Sequence, residues 1–252
     1  MMTNDKIYFV ANWKMFGHLN SLNSLNKVIK FKKKNKKAKN LKIIYCPPFT
    51  LIHPFIQKLK NTTIKTGAQN CSFGSNYGPP TGSINAMMIK SLKCEYVILG
   101  HSEKRAKGET DNIINRKIIS ALQNNLKVIF CIGETFGQRK KKLTKKTLLS
   151  QISKGLKKIK NKKNIIIAYE PVWSIGSGMI PKIEDLENTT RIIKLFLSNK
   201  MKYKNPKVLY GGSVNQKNVN LLKNITNLDG FLVGGASQNS NIFIDIIKKT
   251  FN

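Results

Sequence analysis

Eight short apolar runs recur along the chain, each followed by a longer, lysine-rich segment able to form a helix. The runs are Lys6–Ala11, Lys42–Cys46, Thr63–Gly67, Tyr96–Leu99, Lys127–Ile132, Ile165–Tyr169, Lys207–Tyr210 and Gly230–Val233. They are nearly continuous in Ile, Val, Leu and Tyr, the pattern of parallel strands covered on both faces. Between them, Thr110–Asn125 spaces Ile113, Ile114, Lys117, Ile118 and Ala121 three and four residues apart. The segment Ile183–Leu197 follows Pro181 and carries Glu184, Asp185 and Glu187 near its start, where the helix dipole favours acids. This rhythm predicts an α/β fold, a closed (β/α)8 TIM barrel, with residues 1–252 forming a single domain. Two lysine-dense stretches, Lys30–Asn40 and Lys154–Asn164, read as exposed helix ends and turns, and as the places where a polyanion would gather.

The 45 Lys+Arg against 12 Asp+Glu give a net charge of +33, which on composition alone suggests nucleic acid, anionic lipid or an anionic substrate. The excess is nearly all lysine. Arginine occurs only as Arg105, Arg116, Arg139 and Arg191, so the planar forks that read phosphates and bases are scarce. Abundant Asn and Ile accompany the lysine, and the charge reads as compositional drift on a solvated surface, with no specific nucleic-acid partner. Cys46, Cys71, Cys94 and Cys131 form no CxxC pair and show no metal-ligand spacing, which fits reduced thiols in a cytosolic protein. The first apolar run, Ile7-Tyr8-Phe9-Val10, is too short for a signal peptide or membrane span, so a cytoplasmic location and no membrane partner are expected.

In such a barrel the chemistry sits on the loops after the strands. Polar residues collect there: Asn12-Trp13-Lys14 after the first run, Gly100-His101-Ser102-Glu103 after the fourth, Glu170-Pro171-Val172-Trp173 after the sixth, Gly211-Gly212-Ser213 after the seventh and Gly234-Gly235 after the eighth. Glu170 directly follows an apolar strand, where loss of hydration strengthens a carboxylate enough to take a carbon-bound proton. The stretch from Pro171 to Gly178 has the character of a lid, with a rigid start and a Gly-rich tip. The two Gly-Gly pairs offer backbone N–H groups and a short helix start to a phosphate. His101, opening a Ser-Glu segment able to form a helix, would be held neutral and able to polarise a carbonyl.

Seven blocks, in order along the whole chain, resemble the triosephosphate isomerase family: Asn12-Trp13-Lys14-Met15, Gly67-Ala68-Gln69-Asn70, Gly100-His101-Ser102-Glu103-Lys104-Arg105, Cys131-Ile132-Gly133-Glu134, Ala168-Tyr169-Glu170-Pro171-Val172-Trp173, Tyr210-Gly211-Gly212-Ser213-Val214 and Val233-Gly234-Gly235-Ala236-Ser237. The resemblance implies an isomerase of glycolysis and gluconeogenesis that interconverts dihydroxyacetone phosphate and D-glyceraldehyde 3-phosphate through an enediol(ate), with no cofactor or metal. The family is itself a standard worked case of a Glu base beside a neutral His. Carried onto this chain, the resemblance makes Glu170 the base, His101 the group that polarises the carbonyl and shuttles oxygen-bound protons, and Lys14 with Asn12 the stabilisers of developing charge. It further implies that the N–H groups of Gly176, Ser213, Gly234 and Gly235 hold the phosphate, and that Ser102 and Glu103 act in support. It implies a homodimer through the loop 70–82.

Three places depart from the family's pattern. Ser83 and Lys104 stand where the family pairs a Glu with an Arg, so an altered dimer interface is expected. Pro181 stands where the lid's N–H usually meets the tyrosine before the first Gly-Gly, here Tyr210; with that bond lost, Tyr210→Phe is expected to have little kinetic effect. The segment from Arg105 to Glu109 is about one residue shorter than usual, which leaves the role of Glu109 open. Other phosphate-binding barrels lack the Asn-x-Lys, His and Glu-Pro-Val-Trp combination. A nucleic-acid-binding protein on a degenerate barrel would have lost Lys14, His101 or Glu170, and all three are present.

Overall fold

The computed structural model describes residues 7–35, 40–74 and 76–251. Its strands are β1 (Ile7–Asn12), β2 (Leu41–Cys46), β3 (Lys65–Ala68), β4 (Tyr96–Leu99), β5 (Lys127–Ile132), β6 (Ile165–Tyr169), β7 (Lys207–Tyr210) and β8 (Gly230–Val233). They are all parallel and close into a barrel in sequence order, with β8 returning to pair with β1. The helices are α1 (Leu25–Lys34), α2 (Phe49–Leu59), α3 (Ala86–Ser91), α4 (Ser102–Arg105), α5 (Asp111–Gln123), α6 (Phe136–Lys140), α7 (Thr144–Gly155), α8 (Ile183–Leu195), α9 (Val219–Leu222) and α10 (Ser240–Phe251). Among the described residues, no helix is long and apolar enough to cross a membrane.

Continuous apolar strands supply two cores at once, because successive side chains point to opposite faces. Along β1, Val10 enters the barrel interior with Ile44, Ile98, Ile129, Ile166, Leu209 and Leu232. Its neighbours Phe9 and Ala11 turn outward into the larger layer between strands and helices, with Tyr45, Phe130 and Phe243. Five of the eight strands have the bounds read from sequence. The first ends on Asn12 instead of Ala11, and Lys6 lies outside the described residues. The third starts at Lys65 instead of Thr63, since the Thr62 hydroxyl holds the N–H of Ile64 in the preceding turn. Helix α5 is shorter than Thr110–Asn125: Thr110 caps its start, accepting from the N–H of Ile113, and Asn125 has left-handed φ of +56°. Helix α8 stops at Leu195, and a π turn over Phe196–Lys200 carries the chain on.

The seam between β8 and its neighbours is fixed by Asp229, fully buried just before β8. Its carboxylate accepts from the N–H of Val208 at 2.8 Å and meets Lys194 at 2.8 Å and Lys207 at 3.1 Å. Its carbonyl accepts from the N–H of Tyr8 on β1. Gly230, next in the chain, has φ of +142°, and a Cβ there would lie 1.9 Å from the Tyr8 carbonyl oxygen. Gly230→Ala is therefore expected to cost about 3 kcal/mol, lowering Tm by roughly 5–10 °C in a circular-dichroism melt. An unchanged Tm would show that the seam tolerates a side chain.

Candidate active site

The C-terminal ends of β1, β4, β6, β7 and β8 meet around a cavity of about 250 Å3. Asn12, Lys14, His101, Glu170, Gly176, Ser213, Gly234 and Gly235 all line it. Ser102 and Glu103 stand behind, each bonded to one of the residues in front.

Lys14 has left-handed φ of +54°, uncommon for a residue with a side chain and worth about 1–3 kcal/mol of strain. The surroundings hold it there. Its N–H donates to Asn12 Oδ1 at 3.0 Å, and its carbonyl accepts from Gln69 Nε2 at 2.8 Å. Its Nζ lies 2.6 Å from Glu103 Oε1. Burial would raise the Glu103 carboxyl, but the hydrogen bond and charge of Lys14 hold it below its ordinary value, so the pair stays ionised into mild acid.

Glu170 is 1 % exposed, the first residue after β6. Its Oε2 accepts from the N–H of Ser102 at 3.2 Å. Its Oε1 lies 3.3 Å from His101 Nε2, yet no aligned hydrogen bond reaches it. A buried carboxylate oxygen without a bonded partner is rare in a folded interior. Burial, with Glu170 alongside, also pushes the Cys131 thiol well up, keeping it neutral. His101 caps α4: its Nδ1 accepts from the N–H of Glu103 at 3.3 Å. A ring nitrogen that accepts carries no proton, so the proton of the neutral ring sits on Nε2, facing Glu170 and the cavity.

The lid leaves β6 through a 3-10 turn, Val172–Ser174. Its first half is fastened by Glu134, a fully buried carboxylate at the end of β5. Glu134 accepts from Trp173 Nε1 at 3.1 Å and from the Tyr169 hydroxyl at 3.1 Å, with Arg139 stacked over the Trp173 ring. Burial raises the Glu134 carboxyl above its usual value against the pull of these donors. The second half hangs on Ser174, whose Oγ donates to the Met179 carbonyl at 2.7 Å and lies 3.0 Å from the Tyr210 hydroxyl. Burial pushes that hydroxyl to about 12, so it stays protonated. Tyr210 thus has a lid partner the sequence reading did not include, and it lies at Ser174. Gly212 makes room for it: a Cβ there would lie 2.3 Å from the Tyr210 hydroxyl and 2.7 Å from Ser174 Oγ.

On the β8 side of the cavity, Gly235–Ser237 forms a 3-10 turn whose first N–H groups have no partner within the turn. Trp13 Nε1 donates to the Ser237 carbonyl at 3.2 Å, locking this turn to the loop of Lys14. Sequence reasoning also missed the support beneath the loop 70–82. Glu109 forms a largely buried ion pair with Lys117, which donates to Asn70 Oδ1 at 3.0 Å, so Glu109 has a structural role despite its shortened segment. Position offered a signal for Glu134, a carboxylate at a strand end like Glu170. None was available for Ser174, one of many serines.

The triosephosphate isomerase family model matches residues 7–250. The chain belongs to the triosephosphate isomerase family. Members of the triosephosphate isomerase family interconvert dihydroxyacetone phosphate and glyceraldehyde 3-phosphate. The chain is 40% identical over 250 residues to triosephosphate isomerase of Thermodesulfovibrio yellowstonii, covering 96% of this chain and 99% of the relative. Over 213 residues it is 40% identical to the triosephosphate isomerase of Dictyoglomus turgidum, 82% of this chain and 85% of that one. The crystal structure of triosephosphate isomerase from Bartonella henselae superposes with a TM-score of 0.87 at 32% identity, over 98% of this chain and 100% of that chain.

Tyr210→Phe should weaken the hinge by about 1 kcal/mol, speeding amide exchange between Ser174 and Met179 about fivefold in hydrogen-exchange mass spectrometry. Unchanged exchange would show that Ser174 holds the lid without Tyr210.

Proposed function

We propose that this chain interconverts dihydroxyacetone phosphate and D-glyceraldehyde 3-phosphate at the cavity described above, with Glu170 as the base. The observation that carries the reading is the buried, under-compensated Oε1 of Glu170, in one cavity with Lys14, the protonated Nε2 of His101 and the Gly-rich turns. The substrate phosphate sits against the N–H groups of Gly176, Ser213, Gly234 and Gly235, and the triose reaches back toward β1 and β4. Glu170 removes the proton from the carbon beside the carbonyl. The electron pair moves onto the carbonyl oxygen, where the Lys14 ammonium, the Asn12 amide and His101 Nε2–H receive the charge. His101 then passes a proton between the two oxygens. Glu170 returns the carbon-bound proton to the neighbouring carbon. Lid closure keeps water from the enediolate and suppresses loss of phosphate.

Glu170→Gln keeps shape and removes the base, so in a coupled isomerase assay kcat should fall by about 10³-fold with KM little changed. Activity near wild type in this variant would overturn the mechanism. Ser174 links Tyr210 to the lid, so the earlier expectation for Tyr210→Phe reverses, and kcat/KM should drop severalfold.

The chain also reads as a homodimer that buries the loop 70–82. Supporting this are apolar side chains exposed beside that loop: Tyr77 at 76%, Phe16 at 58% and Met15 at 94%. The bond from Gln69 to the Lys14 carbonyl makes such an interface continuous with the catalytic lysine. Sedimentation velocity at micromolar concentration should show a dimer, and a fully active monomer would defeat the assignment. A single domain over the whole chain and a cytoplasmic location complete the reading.

A further inference from the structure

A second cavity lies at the opposite end of the barrel from the active site. It measures about 890 Å3 and is framed by the opening residues of β1 to β7. Lys42, Lys65, Lys127 and Lys207 stand on strand starts; Lys160, Lys162 and Lys163 come from the connection between α7 and β6, and Lys202 and Lys204 from that between α8 and β7. Nine lysines thus surround one basin, and no carboxylate of the described residues lines it. Behind the wall, Glu95 pairs with Lys65 at 2.6 Å and Lys127 at 3.4 Å, and Asp229 pairs with Lys207. The other six have no carboxylate of the described residues within ion-pair distance.

The basin is built on ordered backbone. The N–H of Ile165 donates to the Lys162 carbonyl, and that of Lys163 to Asn161 Oδ1. The buried Tyr203 hydroxyl bonds the Ile165 carbonyl, joining the two lysine-bearing connections. Like charges crowded around a concave site repel one another and focus the field on whatever anion enters. Two of the three aromatic side chains in the wall are already committed, the Lys127 ammonium lying 5.1 Å from the Tyr96 ring centre and Tyr203 using its hydroxyl, which leaves the half-buried Tyr8. Base stacking therefore has little to offer here, and phosphate oxygens have much. A bowl on the barrel axis suits a compact anion better than a nucleic-acid strand, which would follow a stripe.

We propose that this basin binds a short oligophosphate, inorganic polyphosphate or the triphosphate of a nucleotide, through Lys42, Lys160, Lys162, Lys163, Lys202 and Lys204. The ligand sits at the far end of the barrel from the triose phosphate and does not compete with it.

The test is isothermal titration of the full chain with inorganic tripolyphosphate and, separately, with ATP. A Lys42→Gln, Lys163→Gln, Lys204→Gln variant removes one charge from each part of the rim. A control, Lys33→Gln, Lys145→Gln, Lys146→Gln, lowers the net charge equally on exposed surface elsewhere. Both variants are first checked for an unchanged circular-dichroism spectrum and Tm. Binding is expected to weaken about tenfold or more in the basin variant and less than about twofold in the control, and to persist under saturating glycerol 3-phosphate. Tighter binding of ATP would assign the nucleotide source, and tighter binding of tripolyphosphate the inorganic one. Equal weakening in both variants would overturn the proposal in favour of diffuse charge. Displacement by glycerol 3-phosphate would overturn it in favour of the active site. A basin-dependent affinity for single-stranded DNA above that for tripolyphosphate would overturn it in favour of nucleic acid.

Discussion

The rest of the structure depends on the closure of β8 onto β1, because only a closed parallel barrel brings all eight strand ends to one rim. Asp229 holds that seam by accepting from β7 with its side chain and from β1 with its carbonyl. Once closed, residues as distant in sequence as Asn12 and Gly235 face the same cavity with no linker to position them. Parallel strands also require helices on the outside, and this accounts for the two cores, one inside the barrel and one around it.

Three fully or nearly buried carboxylates show how one chemical group is turned to different ends. Asp229 faces two lysines and is a structural clasp. Glu134 is satisfied by a tyrosine hydroxyl and an indole N–H, and it fastens the lid. Glu170 has one backbone N–H and the edge of a neutral imidazole, with no Lys or Arg of the described residues within ion-pair distance. The first two are held by their partners, whereas the third keeps an oxygen without a hydrogen-bond donor at the wall of the cavity.

Much of this was legible in the sequence, because burial on both faces writes continuous apolar runs and the barrel then dictates where polar residues must converge. Asn12, Lys14, His101 and Glu170 were each visible by standing just past such a run. What position could not carry was side-chain partnership. Pro181 directed attention to a missing N–H, while the hinge is organised by Ser174, whose role arises only when β7 places the Tyr210 hydroxyl beside it. Glu109 was obscure for the same reason: its partners Lys117 and Asn70 come from separate segments. The lysine-rich connection before β6 read as a solvated helix end and turn where a polyanion would gather, with no partner segment in view. Only the barrel brings it alongside the connection before β7 and the starts of four strands.

The left-handed backbone of Lys14 places the fold and the chemistry in opposition at a single residue. Glycine would occupy that conformation at no steric cost, but it would have no ammonium to set beside Glu103 at the cavity. Backbone ease and side-chain reach therefore pull this position in different directions, and the bonds of its N–H to Asn12 and of its carbonyl to Gln69 hold it in the strained state.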